Sequence, residues 1–135
     1  MKILNITMRE IKDIDDAIQT AIEGDYIKSN SRIDDFSIEK KTLSLSEILN
    51  YDDYGSWGQW EKGELKDLNK TELTDELTHF RGKKWAELAK TWIKDKSLIS
   101  PIVIFPELGL IGDGRGRVSF AIGMKLKTLP VILLT

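Results

Sequence analysis

The segment that most constrains the fold is Gly112-Asp113-Gly114-Arg115-Gly116-Arg117, which joins a short apolar run to a stretch of helical character. A strand that ends at glycines and restarts as a helix leaves backbone N–H groups without partners at the positive end of the helix dipole. Such a position favours a phosphate group. Glycine allows close approach of the backbone, arginine binds phosphate oxygens through two donors, and a carboxylate can hold a metal ion.

The residues of this segment therefore have predicted roles. We expect backbone amides from Gly114 to Arg117 to hold the phosphate, and Asp113 to hold a divalent metal and to be the candidate catalytic residue. The candidate phosphate ligands are Gly112, Gly114, Arg115, Gly116, Arg117 and Ser119. Two interpretations of Arg117 remain open: it binds the phosphate from the first helical turn, or it pairs with an internal carboxylate while the glycines only form a tight turn.

Composition excludes several kinds of site. The length of 135 residues predicts a single domain, and 20 basic against 22 acidic residues give no overall electrostatic signature for nucleic acid or membrane. The absence of cysteine excludes thiolate chemistry, and a single histidine, His79, excludes a multi-histidine metal site. We expect no membrane partner and a cytoplasmic location, because no apolar run approaches the length that spans a bilayer.

The N-terminal part predicts a helix, an irregular segment and a strand. Thr7 and Glu10 form a capping box, and isoleucines and alanines recur at helical spacing up to Gly24, with Asp13 assigned to the opposite, polar face. We expect this helix to pack on the core. Residues 25–39 are polar and irregular, residues 41–45 alternate as a half-buried strand, and Ser44 or Ser46 can cap a short turn.

The middle of the chain contains an aromatic segment, residues 51–60, within an insertion over residues 51–83. Trp57 and Trp60 either form a partner surface, since aromatic rings can stack on bases, or pack onto the core as apolar anchors. His79 is expected to be an ordinary polar residue of a short helix.

The C-terminal part predicts the sheet that carries the glycine-arginine segment. A helix with its apolar stripe from Trp85 to Ile93 precedes a buried strand at residues 102–105. Residues 106–109 form a turn, so residues 110–111 should return as a hairpin. In the next helix Val118, Ala121 and Ile122 should face the sheet, Gly123 should end it, and residues 129–134 form a last strand. The fold class predicted is α/β (α+β): a small mixed sheet with a β-hairpin, flanked by helices.

These elements resemble the N-terminal domain of the ParB family and its ParB/sulfiredoxin-like relatives, including ParB-like nucleases. The likeness rests on Leu98-Ile99-Ser100-Pro101-Ile102-Val103-Ile104, on the glycine-arginine segment, and on Leu129-Pro130-Val131-Ile132. It covers about residues 40–50 and 84–134. Residues 1–39 would then be an N-terminal helical extension, 51–83 an insertion, and 84–135 the motif-bearing core of one domain.

The resemblance implies nucleotide chemistry at the glycine-arginine segment. In family members that bind and hydrolyse CTP the matching motif is Gly-Glu-Arg-Arg-x-Arg, so Asp113 would replace the acid that helps hold the metal, and Arg115 and Arg117 would retain two of the three arginines. The catalytic cysteine of sulfiredoxins would fall at Arg115, which excludes sulfiredoxin chemistry. The family's downstream helix-turn-helix region has no counterpart here, so we expect no sequence-specific chromosome segregation.

Three functions follow as hypotheses. The first is a nucleotide- or phosphate-binding domain, with Mg²⁺ and CTP, ATP or ADP as ligands and metal-dependent nucleotide hydrolysis or phosphoryl transfer as its reaction. The second is a DNA nuclease or DNA-binding protein that uses a local basic patch. The third is a non-catalytic module of a phage or mobile element that binds another protein. Whether the chain is an enzyme stays open at this point.

Overall fold

The computed structural model describes residues 6–51, 83–124 and 126–135. In these ranges the chain is a mixed α/β fold with one four-stranded sheet. The helices are α1 (Met8–Glu23), α2 (Leu45–Ile48), α3 (Lys83–Lys94) and α4 (Arg115–Gly123). The strands are β1 (Ile38–Ser44), β2 (Ile102–Phe105), β3 (Leu110–Asp113) and β4 (Thr128–Leu134). The predicted fold class is confirmed.

Helix α1 begins at the predicted capping box. The Glu10 amide donates to the Thr7 hydroxyl at 3.1 Å, and the Thr7 amide donates to Glu10 Oε1 at 2.9 Å. The prediction that its apolar stripe packs on the core is confirmed, since four residues of that stripe are buried: Ile14, Ala17, Ile18 and Ala21. The assignment of Asp13 to the polar face is wrong. Asp13 is buried, because it lies one turn before Ala17 on the face that contacts the sheet.

Strand β1 begins at Ile38, three residues earlier than the alternation of residues 41–45 predicts. It pairs antiparallel with the whole of β4, from Ile38 opposite Leu134 to Ser44 opposite Thr128. The pairing extends past the alternating residues because β4 presents a full row of backbone groups that need partners. Its exposed charges suit a sheet edge. The prediction of a Ser44 cap is confirmed: its hydroxyl accepts from the Glu47 amide at the start of α2.

The predicted hairpin is also confirmed. Strand β2 is buried along its length and pairs antiparallel with β3, and Gly109 closes the turn between them with φ 62°. On its other side β2 pairs parallel with β4, so the strand order is β1-β4-β2-β3. The carboxyl ends of β1 and β3 and the amino ends of β2 and β4 consequently lie at one end of the sheet, here called the turn end.

Helices cover both faces of the sheet. On one face α1 packs against Val103, Phe105, Leu110 and Ile132. On the other face the second core cluster contains residues from α2, α3 and α4, and the rings of Trp92 and Phe120 meet edge to face at 5.2 Å. In α4, Val118 and Ala121 are buried as predicted, and Phe120 is buried as well. The glycine-arginine segment therefore lies where β3 leaves the sheet for a helix on the second face.

Candidate functional site

The connection from β3 to α4 begins with an irregularity in the β2–β3 pairing. Val103 lies opposite Asp113 and Ile104 lies opposite Ile111, so Gly112 is an extra residue in β3. Residues directly opposite in an antiparallel pair share a face. Because Val103 belongs to the core cluster under α1, the bulge places Asp113 on the α1 side of the sheet.

Two glycines of this connection are required by close packing. A Cβ on Gly112 would lie 2.7 Å from the Ala17 Cβ and 2.8 Å from the Phe105 ring. Gly114 has φ 105°, and a Cβ there would lie 2.4 Å from Ile102 Cγ2. Gly112 thus lets α1 approach β3, and Gly114 lets the chain turn directly from the strand into α4.

The start of α4 provides the backbone donors that the sequence predicts. The first hydrogen bond of the helix runs from the Val118 amide to the Gly114 carbonyl at 3.1 Å. By helix geometry, the amides of the three residues before Val118 have no acceptor within α4. These amides carry the positive end of the helix dipole, and they follow directly after the Asp113 carboxylate.

Arg117 holds the connection together through three hydrogen bonds. Its Nη1 donates to the backbone carbonyls of Ser100 at 2.9 Å and Pro101 at 2.6 Å, and its Nη2 lies 2.9 Å from Asp113 Oδ2. Its side chain is 12% exposed and that of Asp113 is 28% exposed. Of the two interpretations of Arg117, the geometry favours the internal ion pair, because the guanidinium already binds the end of β3 and the segment before β2.

The electrostatic surroundings of Asp113 are acidic despite Arg117. Burial raises the pKa of the Asp113 carboxyl above its ordinary value of 3.8, and the charges of Asp13 and Asp16 on α1 raise this pKa further. The charge and hydrogen bond of Arg117 lower it but do not reverse the change. Negative charge therefore accumulates where α1 meets the end of β3.

Asp13 is the residue of this site that the sequence analysis missed. It is 6% exposed, its Oδ1 lies 3.6 Å from Arg9 Nε, and its buried Oδ2 has no hydrogen-bond partner among the residues that the structure describes. The contact of Ala17 with the Gly112 position places Asp13, one turn earlier on the same face, beside the end of β3. A buried carboxylate oxygen without a donor is costly, unless a proton or a cation satisfies it.

The structure places the other predicted site residues as follows. Gly112, Asp113, Gly114, Gly116 and Arg117 come together at the turn end of the sheet, and Arg115 and Ser119 lie in α4. The side chains of Arg115 and Ser119 are outside the described part. Trp57, Trp60 and His79 also lie outside the described residues, so the alternatives for the aromatic segment stay as predicted. The site therefore combines backbone N–H donors, the Arg117 guanidinium bound to Asp113 and to two carbonyls, and the carboxylates of Asp113 and Asp13.

The fold and this site define a small mixed α/β domain with a glycine-rich turn from a strand to a helix. Comparison of the chain with family models, with curated proteins and with solved structures finds no match. Among the described helices, none is both long and apolar enough to cross a membrane.

Proposed function

We propose that the turn Asp113–Arg117 binds a nucleotide through one of its phosphate groups, together with Mg²⁺. The observation that supports this most directly is Gly114, which has a positive φ and no room for a side chain. It joins Asp113 directly to the start of α4, where the first amides have no acceptor within the helix. A turn of this kind lets the backbone come close to a ligand oxygen.

The acidic surroundings favour a metal–nucleotide complex over a free phosphate. An anion at the start of α4 would meet the charges of Asp113 and Asp13 at short range, and Arg117 is already bound to Asp113 and to two carbonyls. Like charges at such distances repel strongly. A divalent cation held by these carboxylates would remove this repulsion.

The residues present fit Mg²⁺. Carboxylate oxygens are its preferred protein ligands, and it commonly uses one or two carboxylates, with substrate phosphates and waters completing the shell. Asp113 and the unpaired Oδ2 of Asp13 supply two such groups. Within the described ranges no group of three or more metal-ligating side chains is present. Phosphate oxygens and waters would therefore complete the shell. When bound, the ion supplies charge neutralisation at the phosphate oxygens.

The activity that we propose is binding of the nucleotide rather than its hydrolysis. Both carboxylates at the turn are assigned to the metal, so neither is free to accept a proton from an attacking water. The likeness of the sequence to CTP-binding ParB domains makes CTP the first nucleotide to test, with ATP and ADP next.

Isothermal titration calorimetry on the full chain tests the proposal. We expect CTP, ATP or ADP to bind in the presence of Mg²⁺ and to bind at least about tenfold more weakly in EDTA, since the carboxylates then repel the phosphates. Asp113→Asn and Arg115→Ala should each weaken binding. Lys90→Ala, which removes an exposed charge on α3, is the control and should leave binding unchanged. Absence of binding with all three nucleotides would overturn the proposal.

A further inference from the structure

A second feature at the turn end of the sheet is a cavity of about 570 Å³. Ligand-binding clefts commonly have volumes of ~300–1,000 Å³, so the cavity can hold a small organic molecule. It lies between the end of β1, the start of β4 and the segment that precedes β2. Its lining combines basic, hydroxyl and apolar side chains: Thr42, Lys96, Ser97, Ile99, Leu126, Lys127, Thr128, Leu129 and Pro130.

The two lysines of the cavity carry positive charge that no carboxylate of the described residues neutralises. Within the described part of the chain neither Lys96 nor Lys127 forms an ion pair. The closest carboxylate in sequence, Asp95, accepts hydrogen bonds from the Ser97 hydroxyl at 2.6 Å and the Ser97 amide at 3.0 Å. These bonds lower the pKa of Asp95 and keep its carboxylate on the turn. The cavity therefore has a positive rim.

Both lysines lie on turns whose backbone is held by hydrogen bonds. Lys96 begins a 3₁₀ turn that Asp95 caps and that leads into the buried Ile99. The Lys127 carbonyl accepts from the Leu45 amide at 2.8 Å, and the preceding Leu126 amide donates to the Ala121 carbonyl at 3.0 Å. Cations on anchored turns lose less freedom when a ligand binds.

Part of the lining of the cavity is apolar. Leu126, which packs against the core cluster, and Pro130 are its partly exposed apolar residues, whereas Ile99 and Leu129 are almost fully buried. A bare inorganic anion would leave this surface in contact with water. A ligand that carries an apolar group beside its charge would cover it and gain the corresponding free energy.

We propose that this cavity binds a small organic phosphate monoester. Its dianion matches the two positive charges, with the phosphate between Lys96 and Lys127 and the threonine hydroxyls as further donors. The organic group lies against Leu126 and Pro130, which are partly exposed in the lining. This site is distinct from the turn Asp113–Arg117, from which β2 and the segment 99–101 separate it, and it does not depend on Mg²⁺.

Titration of the full chain with phenyl phosphate, followed by amide chemical shifts in NMR spectra, tests the proposal. We expect saturable shifts at residues 96–99 and 126–130, in EDTA as well as in Mg²⁺. The double variant Lys96→Ala/Lys127→Ala should bind at least about tenfold more weakly, because it loses both charged donors. The matched control Lys90→Ala/Lys94→Ala removes two exposed lysines of α3 and should bind within about twofold of the unchanged chain.

Two further ligands separate the contributions of charge and apolar surface. Inorganic phosphate should shift the same amides but bind more weakly, and benzyl alcohol should give small shifts without saturation. Equal weakening by the two double variants, or shifts outside the cavity residues, would overturn the proposal. Asp113→Asn should leave phenyl phosphate binding intact, so failure of the magnesium–nucleotide site and failure of this site are distinguishable.

Discussion

At Gly114 the absence of a side chain decides how β3 is joined to α4. Its φ of 105° is unfavourable for other residues, and Ile102 fills the space that a Cβ would need. Gly109 also has a positive φ, 62°, but a Cβ there would meet nothing within 4 Å. Comparing substitutions at the two glycines therefore separates the cost of backbone strain from the cost of steric overlap.

We expect Gly114→Ala to destabilise the fold by about 3 kcal/mol, since it adds both strain and overlap. Gly109→Ala should cost about 1 kcal/mol, for strain alone. Urea denaturation followed by circular dichroism measures both. Equal losses would show that the contact between Gly114 and Ile102 does not constrain the turn.

Arg117 is the second residue on which the turn depends. Arg117→Ala removes three hydrogen bonds and leaves the half-buried Asp113 carboxylate without its cation, so we expect a loss of about 2–4 kcal/mol. Arg117→Lys should recover part of this loss, because it retains the charge without the planar fork.

The matched control for Arg117 is Lys12→Ala. Lys12 also forms an i,i+4 ion pair, with Asp16 at 3.7 Å, but both side chains are exposed. Its removal should change the free energy of unfolding by less than about 0.5 kcal/mol. A comparable effect of Arg117→Ala would mean that the ion pair of Arg117 with Asp113 stabilises the fold no more than a surface pair does.

The carboxyl of Asp113 should make stability depend on pH. Burial raises its pKa in the folded state above 3.8, so the folded protein binds this proton more tightly than the unfolded chain does. The resulting stabilisation is complete below 3.8 and is lost as pH rises through the folded-state pKa. The stability of the unchanged chain should therefore fall relative to Asp113→Asn as pH rises from below 3.8.

Urea denaturation of both proteins over a series of pH values measures this difference. Taking the difference cancels the groups that do not interact with Asp113, including Glu10. Burial tends to raise the pKa of Glu10, but hydrogen bonds from Thr7 and Lys40 and the Lys40 charge lower it overall. A difference that is constant with pH, or one that rises, would contradict the assigned environment of Asp113.

Part of the site could be predicted at this scale and part could not. The glycine turn follows from residue types and spacing, whereas these leave open whether Arg117 binds a phosphate or pairs with an internal carboxylate. The buried series of α1 includes positions 10, 13, 14, 17, 18 and 21, so the spacing contained the signal for Asp13. The residue type indicates the opposite, because an aspartate is rare on the buried face of a helix.

Among the elements, α1 has a start that the local sequence determines and a position that packing against the sheet determines. The box of Thr7 and Glu10 fixes where the helix begins, and Lys40 of β1 binds Glu10 Oε2 at 3.1 Å, which ties the helix start to the sheet edge. Helix α1 contacts the sheet where Ala17 lies close to Gly112 of β3.

Thr7→Ala should destabilise the protein by about 1 kcal/mol through loss of the cap. The control is Thr20→Ala, because the Thr20 hydroxyl only donates to the Asp16 carbonyl within the helix at 3.0 Å. That change should be neutral or slightly stabilising, since alanine is the better helix former. Thermal unfolding measures both, and equal shifts in Tm would show that the capping box does not stabilise α1.

The elements themselves were largely predictable because their signals are local. Helical spacing, β-branched runs and turn residues identify α1, β2, the hairpin and β4. The local sequence does not indicate that β1 begins at Ile38. Residues 38–40 show no alternation of polar and apolar side chains, and they join the sheet by pairing with β4, which is distant in sequence.

For the whole molecule, the strand order β1-β4-β2-β3 is the property that local sequence does not reveal. Strand pairing depends on contacts between distant segments, as in the parallel pairing of β2 with β4. This order brings the turn Asp113–Arg117 and the lysine-rimmed cavity to one end of the sheet. The cavity draws its lining from β1, β4 and the segment before β2, so no single stretch of sequence predicts it.

The most direct measurement of the central claim is a titration of the full chain with CTP and Mg²⁺, followed by backbone amide chemical shifts. The account predicts saturable shifts at residues 113–117 when nucleotide and Mg²⁺ are both present, and much smaller shifts when either is added alone. Unchanged amides at residues 113–117 with both ligands at millimolar concentration, or shifts that are the same in EDTA, would contradict it.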